Sequence, residues 1–171
     1  MRLLSEIHER PLHDDGTGPS QQLFWALELA AADRHRQGDP LGVIHRRLRH
    51  AIAHRRIRFF FNPREEAVAY FVWADLAFDV HQRWMTGSLG ELHESEWNEG
   101  VFRWAIEVVA PYGHSRRVVR RLLQDFAADP HALDIYMFTD SGSKGPRIKT
   151  ISKQRNDALA SKGRPGNEPR K

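Results

Sequence analysis

Phe102-Arg103-Trp104-Ala105-Ile106-Glu107-Val108-Val109-Ala110-Pro111-Tyr112-Gly113-His114-Ser115-Arg116-Arg117 reads as a buried strand, a proline-glycine turn and the first turn of an arginine-rich helix. A strand that is apolar on both faces belongs in the middle of a covered sheet. Glu107 is the exception within it. By simple alternation it shares a face with Arg103, Ala105 and Val109, while Phe102, Trp104, Ile106 and Val108 point the other way. A carboxylate in that position is costly unless it is paired or used. Two readings stand side by side: Glu107 pairs with Arg103 or with an arginine from a neighbouring helix, or it orients and charges a catalytic base. The turn after it also has two readings. Successive backbone N–H groups, a helix N-terminus and two arginines suit a phosphate; the same residues also suit a plain helix start with a solvated basic face.

On the N-terminal side, Leu23, Phe24, Leu27, Ala30 and Ala31 recur at helical spacing, with Ser20 as cap and an end near Arg34. Gly38-Asp39-Pro40 breaks the pattern. A second helix is predicted over Pro40 to His54, with Leu41, Ile44, Leu48, Ala51 and Ile52 on one side and His45, Arg46, Arg47, Arg49, His50 and Arg55 facing solvent. Arg56 to Phe61 and Ala67 to Trp73 form a hairpin around Asn62-Pro63-Arg64-Glu65-Glu66. Leu76 to Met85 reads as a short helix and Gly87 to Gly100 as loop. On the C-terminal side, Val118, Val119, Leu122, Leu123 and Phe126 form a helical stripe opposite Arg116, Arg117, Arg120 and Arg121. A last hairpin, Asp134 to Thr139 with Arg147 to Ser152, follows. The order implies a mixed α/β (α+β) domain on a largely antiparallel sheet.

At 171 residues and 40% hydrophobic content the chain supports one core. Residues 1–19 are expected to be a flexible leader, 20–154 the domain and 155–171 a disordered basic tail. The absence of cysteine excludes disulfides, thiolate metal sites and a cysteine nucleophile. No window is long and apolar enough to be a secretory signal or a membrane span, so a cytoplasmic protein is expected. A net charge of +4 and clustered arginines favour acidic partners: nucleic acid, an anionic surface or an acidic carrier protein.

Histidine is the side chain best suited to accept a proton near neutral pH, and His35 closes the first helix. His45, His50 and His54 are spaced for a metal, but interleaved arginines and the lack of a nearby carboxylate argue against one, so no metal site is expected. Gly-x-Ser-x-Gly, a full Walker loop and His-Glu-x-x-His are absent, which disfavours hydrolase, NTPase and zincin chemistry.

Ala67-Val68-Ala69-Tyr70-Phe71-Val72-Trp73-Ala74-Asp75-Leu76, Glu96-Trp97-Asn98-Glu99-Gly100 and the run from Trp104 to Gly113 together resemble the RTX-toxin-activating lysine acyltransferases, the haemolysin-activating family. The likeness extends from about Leu23 to Ser152. It implies a single GNAT-like domain with a mostly antiparallel central sheet flanked by helices. It also implies a cytoplasmic enzyme that carries a fatty acyl chain from acyl carrier protein to internal lysines of an RTX-type protoxin. No cofactor would be held permanently, because the phosphopantetheine thioester arrives as substrate, and a homodimer is consistent with the family.

By the same resemblance, the catalytic histidine falls on His35, followed by Arg36 as in the family, and the catalytic acid on Glu107, three residues before Ala110-Pro111-Tyr112-Gly113. The chain departs from the pattern in carrying glutamate for aspartate at 107 and Ala32 for the family's serine. The chemistry fits these residue types. A lysine amine, with an ordinary pKa of about 10.4, must lose a proton before it attacks a thioester. His35 is the candidate base, and Glu107 would hold its tautomer as the acid of a triad does. Tyr112, Gly113, His114, Ser115, Arg116 and Arg117 would meet the pantetheine phosphate and the acidic carrier, and some of Trp73, Trp84, Trp97 and Trp104 would line an acyl slot. Two rivals remain: a catalytically degenerate relative that binds the carrier or another partner, and a nucleic-acid module built on Arg46, Arg47 and Arg49.

Overall fold

A computed structural model describes residues 7–9, 17–88, 90–128, 134–140 and 146–151. The chain runs β1 (His8–Glu9), α1 (Pro19–Ala32), α2 (Leu41–Ala53), β2 (Ile57–Phe61), β3 (Ala67–Leu76), α3 (Phe78–Met85), a 3₁₀ turn (Glu94–Trp97), β4 (Phe102–Val109), α4 (Ser115–Ala128), β5 (Ile135–Asp140) and β6 (Pro146–Ile151). The strands form one sheet in the order β1-β2-β3-β4-β5-β6. Every neighbouring pair is antiparallel except β4 and β5, which α4 joins as a parallel crossover. His8 and Glu9, inside the expected leader, pair with Phe61 and Phe60. The expected tail and the tip of the last hairpin lie outside the described residues.

Both faces of the sheet are covered. Ala26, Leu29 and Ala30 of α1, Ile44, Leu48 and Ala51 of α2, and Val80 and Trp84 of α3 pack with Phe59, Tyr70, Val72, Leu76 and Trp104 on one face. Val118 and Leu122 of α4 pack with Phe60, Phe71 and Trp73 on the other. This two-sided cover explains why β3 is buried from Val68 to Leu76 and reads as a continuous apolar run. It also extends β3 three residues past the expected end at Trp73, since Ala74, Asp75 and Leu76 pair with Trp104, Arg103 and Phe102.

Helix starts differ from expectation at three places: α3 begins at Phe78 and not at Leu76, which ends β3, α2 begins at Leu41 with Pro40 as its N-cap, and α1 begins at Pro19, ahead of the expected cap Ser20. Gly18, not Ser20, is the N-cap of α1, with Pro19 in the first turn, where its missing N–H is harmless. Pro40 caps α2 in the same economical way. The segment expected as loop between Gly87 and Gly100 contains the 3₁₀ turn, closed by a box in which the His93 ring accepts from Ser95 N–H and Glu96 accepts from His93 N–H.

Gly100 has a steric reason to be glycine. Its N–H donates to the Asp75 carbonyl at 3.0 Å, and a Cβ there would overlap the Leu76 carbonyl and the Ala77 nitrogen. The close approach seats fully buried Trp97 beside the end of β3. Gly100→Ala is expected to lower stability by about 1–3 kcal/mol, read as a shifted urea midpoint.

Candidate active site

Glu107 does not follow simple alternation. In the β3–β4 register Val72 faces Glu107 but Trp73 faces Ala105, so Ile106 is an extra residue, a β-bulge. Ile106 and Glu107 therefore both turn to the α1/α2 face, while Ala105 and Val108 pack with the α4 cluster. This corrects the expectation that Glu107 shares a face with Arg103. Arg103 instead makes a two-pronged pair with Asp75, at 2.7 and 3.1 Å, and Arg56 adds a third contact at 3.0 Å.

The bulge aims Glu107 at two guanidiniums. Its Oε2 accepts from Arg36 Nη2 and Arg47 Nη1, both at 2.9 Å, and the side chain is 2% exposed. The partners of Glu107 are thus the neighbouring-helix arginines of the first sequence reading, and not the imidazole of His35. Oε1 is buried without a regular hydrogen bond, as is the Tyr70 hydroxyl. Burial first, and then the Glu107 charge, raise the Tyr70 pKa, so the phenol stays neutral. Burial alone would lower Arg36; Glu107, followed by Asp39 and Tyr70, outweighs it and holds the guanidinium charged.

His35 lies in a turn between α1 and α2 that is organised by its own hydrogen bonds. The Asp33 carboxylate accepts the His35 N–H at 2.9 Å, the Asp33 carbonyl accepts the Arg36 N–H at 2.9 Å, and the Arg36 carbonyl accepts the Asp39 N–H at 3.0 Å. Arg36 Nη1 reaches Asp39 at 3.0 Å while Nη2 reaches Glu107. His35 itself is exposed, one residue from the arginine that touches the acid.

Parallel pairing of β4 with β5 covers only Arg103↔Ile135, Trp104↔Tyr136 and Ala105↔Met137. Beyond Ala105 the two strands diverge, at the end where β4 hands over to α4. The ends of strands in α/β sheets, where a helix N-terminus also points, are the usual seat of ligands. A cavity of about 370 Å³ opens on the α1/α2 side of this fork, and its lining includes Arg36, Arg47 and His50 together with the apolar Trp84, Trp97, Ile106 and Phe138. It shares Arg46, His50, Glu91 and Leu92 with an outer groove of about 850 Å³ that also meets Arg83 and Glu94.

Several expectations are redrawn by this geometry. His50, placed on solvent by helical period, lines the cavity with its ring 6.3 Å from that of Trp97. Trp84 and Trp97 border the cavity, whereas Trp104 is core and Trp73 stacks on Phe71 on the opposite face. In the turn after β4, Gly113 has φ +86°, a left-handed conformation that favours glycine. Tyr112, Ser115, Arg116 and Arg117 are exposed, but the His114 side chain is buried, and burial followed by the Arg117 charge lowers its pKa. With His114 neutral and turned inward, the exposed cationic side chains of this turn are Arg116 and Arg117. His81 is likewise kept neutral by burial, accepting from Trp104 Nε1 at 3.1 Å. Arg46 and Arg47 are drawn to Glu91 and Glu107, which deprives the nucleic-acid reading of two of its three arginines. Among the described residues there is no metal-binding cluster of His, Cys, Asp and Glu, and no helix long and apolar enough to cross a membrane.

Comparison with known proteins gives three findings. The sequence model of the RTX toxin acyltransferase family matches residues 24–152. The leukotoxin-activating lysine-acyltransferases LktC of Mannheimia haemolytica serotypes T3 and A11 are 34% and 36% identical over 59 residues, 34% of this chain. The aligned segment spans 35% of the length of each of those relatives. A solved structure, the GphF GNAT-like decarboxylase in complex with isobutyryl-CoA, superimposes with TM-score 0.53 at 11% identity, covering 91% of this chain and 71% of that one. That likeness shows the GNAT-like fold expected from the sequence.

Proposed function

Because the chain belongs to the RTX toxin acyltransferase family, we propose that it is a protein-lysine acyltransferase that moves a fatty acyl group from acyl carrier protein to internal lysines of an RTX-type protoxin. The observation that carries this reading is the fork between β4 and β5, with a mixed apolar and cationic cavity on one side and an anion-suited turn at its end. The reaction would take place in the cytoplasm, where acyl carrier protein is available.

In this reading His35 takes the proton from the acceptor amine as nitrogen attacks the thioester carbonyl. Carbon–nitrogen bond formation gives a tetrahedral oxyanion, and its collapse breaks the carbon–sulfur bond while the proton held by the His35 imidazolium passes to the pantetheine sulfur, which leaves as the thiol. Arg36 and Arg47, their charge offset by Glu107 and Asp39, would present N–H donors to the cavity beside the site where that oxyanion develops. Trp84, Trp97, Ile106 and Phe138 offer the alkyl chain an apolar floor. The N-terminus of α4, which opens at Ser115 after Tyr112, Gly113 and His114, would hold the pantetheine phosphate through backbone N–H groups such as those of His114 and Ser115, the Gly113 N–H being bound to the Ala110 carbonyl. Arg116 and Arg117 would draw in the acidic carrier.

The test is transfer of a labelled acyl group from loaded carrier protein to a lysine of a co-expressed repeat-toxin fragment. Arg116→Glu/Arg117→Glu should raise the KM for the loaded carrier at least about tenfold at low salt, and added salt should shrink the difference. An unchanged KM would place the carrier on another surface. A protein that captures the carrier yet transfers nothing would be the degenerate binding relative.

A further inference from the structure

We propose that Arg36 is the positioning residue for the His35 base, and that Glu107 acts through Arg36 and not on the imidazole. The proposal rests on the reading of His35 as the base. Its geometric support is independent of that reading.

The carboxylate has no free approach for a ring. Oε2 already receives two guanidiniums at 2.9 Å, Oε1 is buried, and the side chain is 2% exposed. His35 is exposed at the other end of this arrangement. Arg36 stands between them in sequence and in space. Its Nη2 is fixed to the sheet through Glu107, its Nη1 to the end of its own turn through Asp39, and its N–H to the start of that turn through Asp33. Three anchors on one residue hold the next Cα, that of His35, about 3.8 Å away. Asp33 fixes the His35 N–H as well.

Arginine suits this task better than lysine. Its planar fork presents two nitrogens in a fixed relation, so a bond to Glu107 and a bond to Asp39 set its orientation as well as its position. Arg47, reaching the same Oε2 from α2, ties the second helix to the same point. The unit of two arginines and two carboxylates is electrically balanced, which lets it remain charged at the cavity wall.

The test combines two readouts on the full-length chain. Amide hydrogen exchange at His35 and Arg36 reports the order of the turn, and the acyl-transfer assay reports kcat and KM separately. Arg36→Ala and Glu107→Gln are each expected to speed exchange at both amides and to lower kcat about 10²-fold with the KM for loaded carrier unchanged. The double variant should be no slower than the worse single one, because both break one linkage. Arg36→Lys, which keeps the charge but loses the fork, should recover part of the loss. Core amides such as that of Val72 must stay as protected as in the parent; if Arg36→Ala loosens them, the Arg36→Lys comparison decides.

Three results would overturn the proposal: Glu107→Gln with a still-ordered turn and lost turnover, losses that multiply in the double variant, or Arg36→Ala with parental kcat. Should the parent transfer no acyl group, the enzyme reading fails by itself. The exchange readout would still judge the clamp, and equal exchange in the parent and Arg36→Ala would refute it.

Discussion

His35→Ala is expected to slow acyl transfer about 10²–10⁴-fold, the usual contribution of a positioned general base. The ordinary lysine amine is almost wholly protonated near neutral pH, so without an acceptor for its proton the nucleophile is scarce and the developing ammonium has no exit. The side chain is exposed, so its removal should leave stability within about 0.5 kcal/mol, and the loss can be read as chemistry. The measurement is single-turnover transfer from loaded carrier, with a melting curve on the same sample. Parental activity in His35→Ala would move the base elsewhere. His50 would then be the first candidate, because it borders both the cavity and the groove.

Glu107→Ala should cost about 3–5 kcal/mol of stability, near the lower end of that range. Removing the carboxylate leaves Arg36 and Arg47 converging on an empty point with no counter-charge between them. Both guanidinium side chains remain about a quarter exposed, at 24% and 26%, so water can relieve part of the repulsion. Urea unfolding with an unchanged slope and a lower midpoint is the expected signature. A loss under about 1 kcal/mol would mean that solvent replaces the carboxylate almost completely.

Much of the architecture was legible in the chain. The stripes of α2 and α4 and the apolar run of β3 carry strong periods, and their observed ends lie within a few residues of those expected. The handover from β4 to α4 also stood out, since Pro111 and Gly113 punctuate it. The site was only half legible. Glu107 was conspicuous because a carboxylate is rare in such a strand, but its direction was not, because nothing in Ala105-Ile106-Glu107 announces a bulge. Its partners were hidden for a different reason. Pairing with Arg36 and Arg47 is a contact across 71 and 60 positions of chain, and the segment between the first helix and the hairpin offers arginines at every turn. His50 was missed because helical period assigns it to solvent, whereas the 90–97 segment folds over it.

The extra residue at Ile106 gives the strand a change of parity. Up to Ala105, odd-numbered side chains of β4 belong to the α4 layer; from Glu107 onward, odd-numbered side chains belong to the α1/α2 layer. If Ile106 instead took a regular place in the ladder opposite Val72, the same residues would be present and the acid would point to the α4 side of the sheet. In this protein one aliphatic residue, with no polar atom in its side chain, determines on which side of a wall the charge resides.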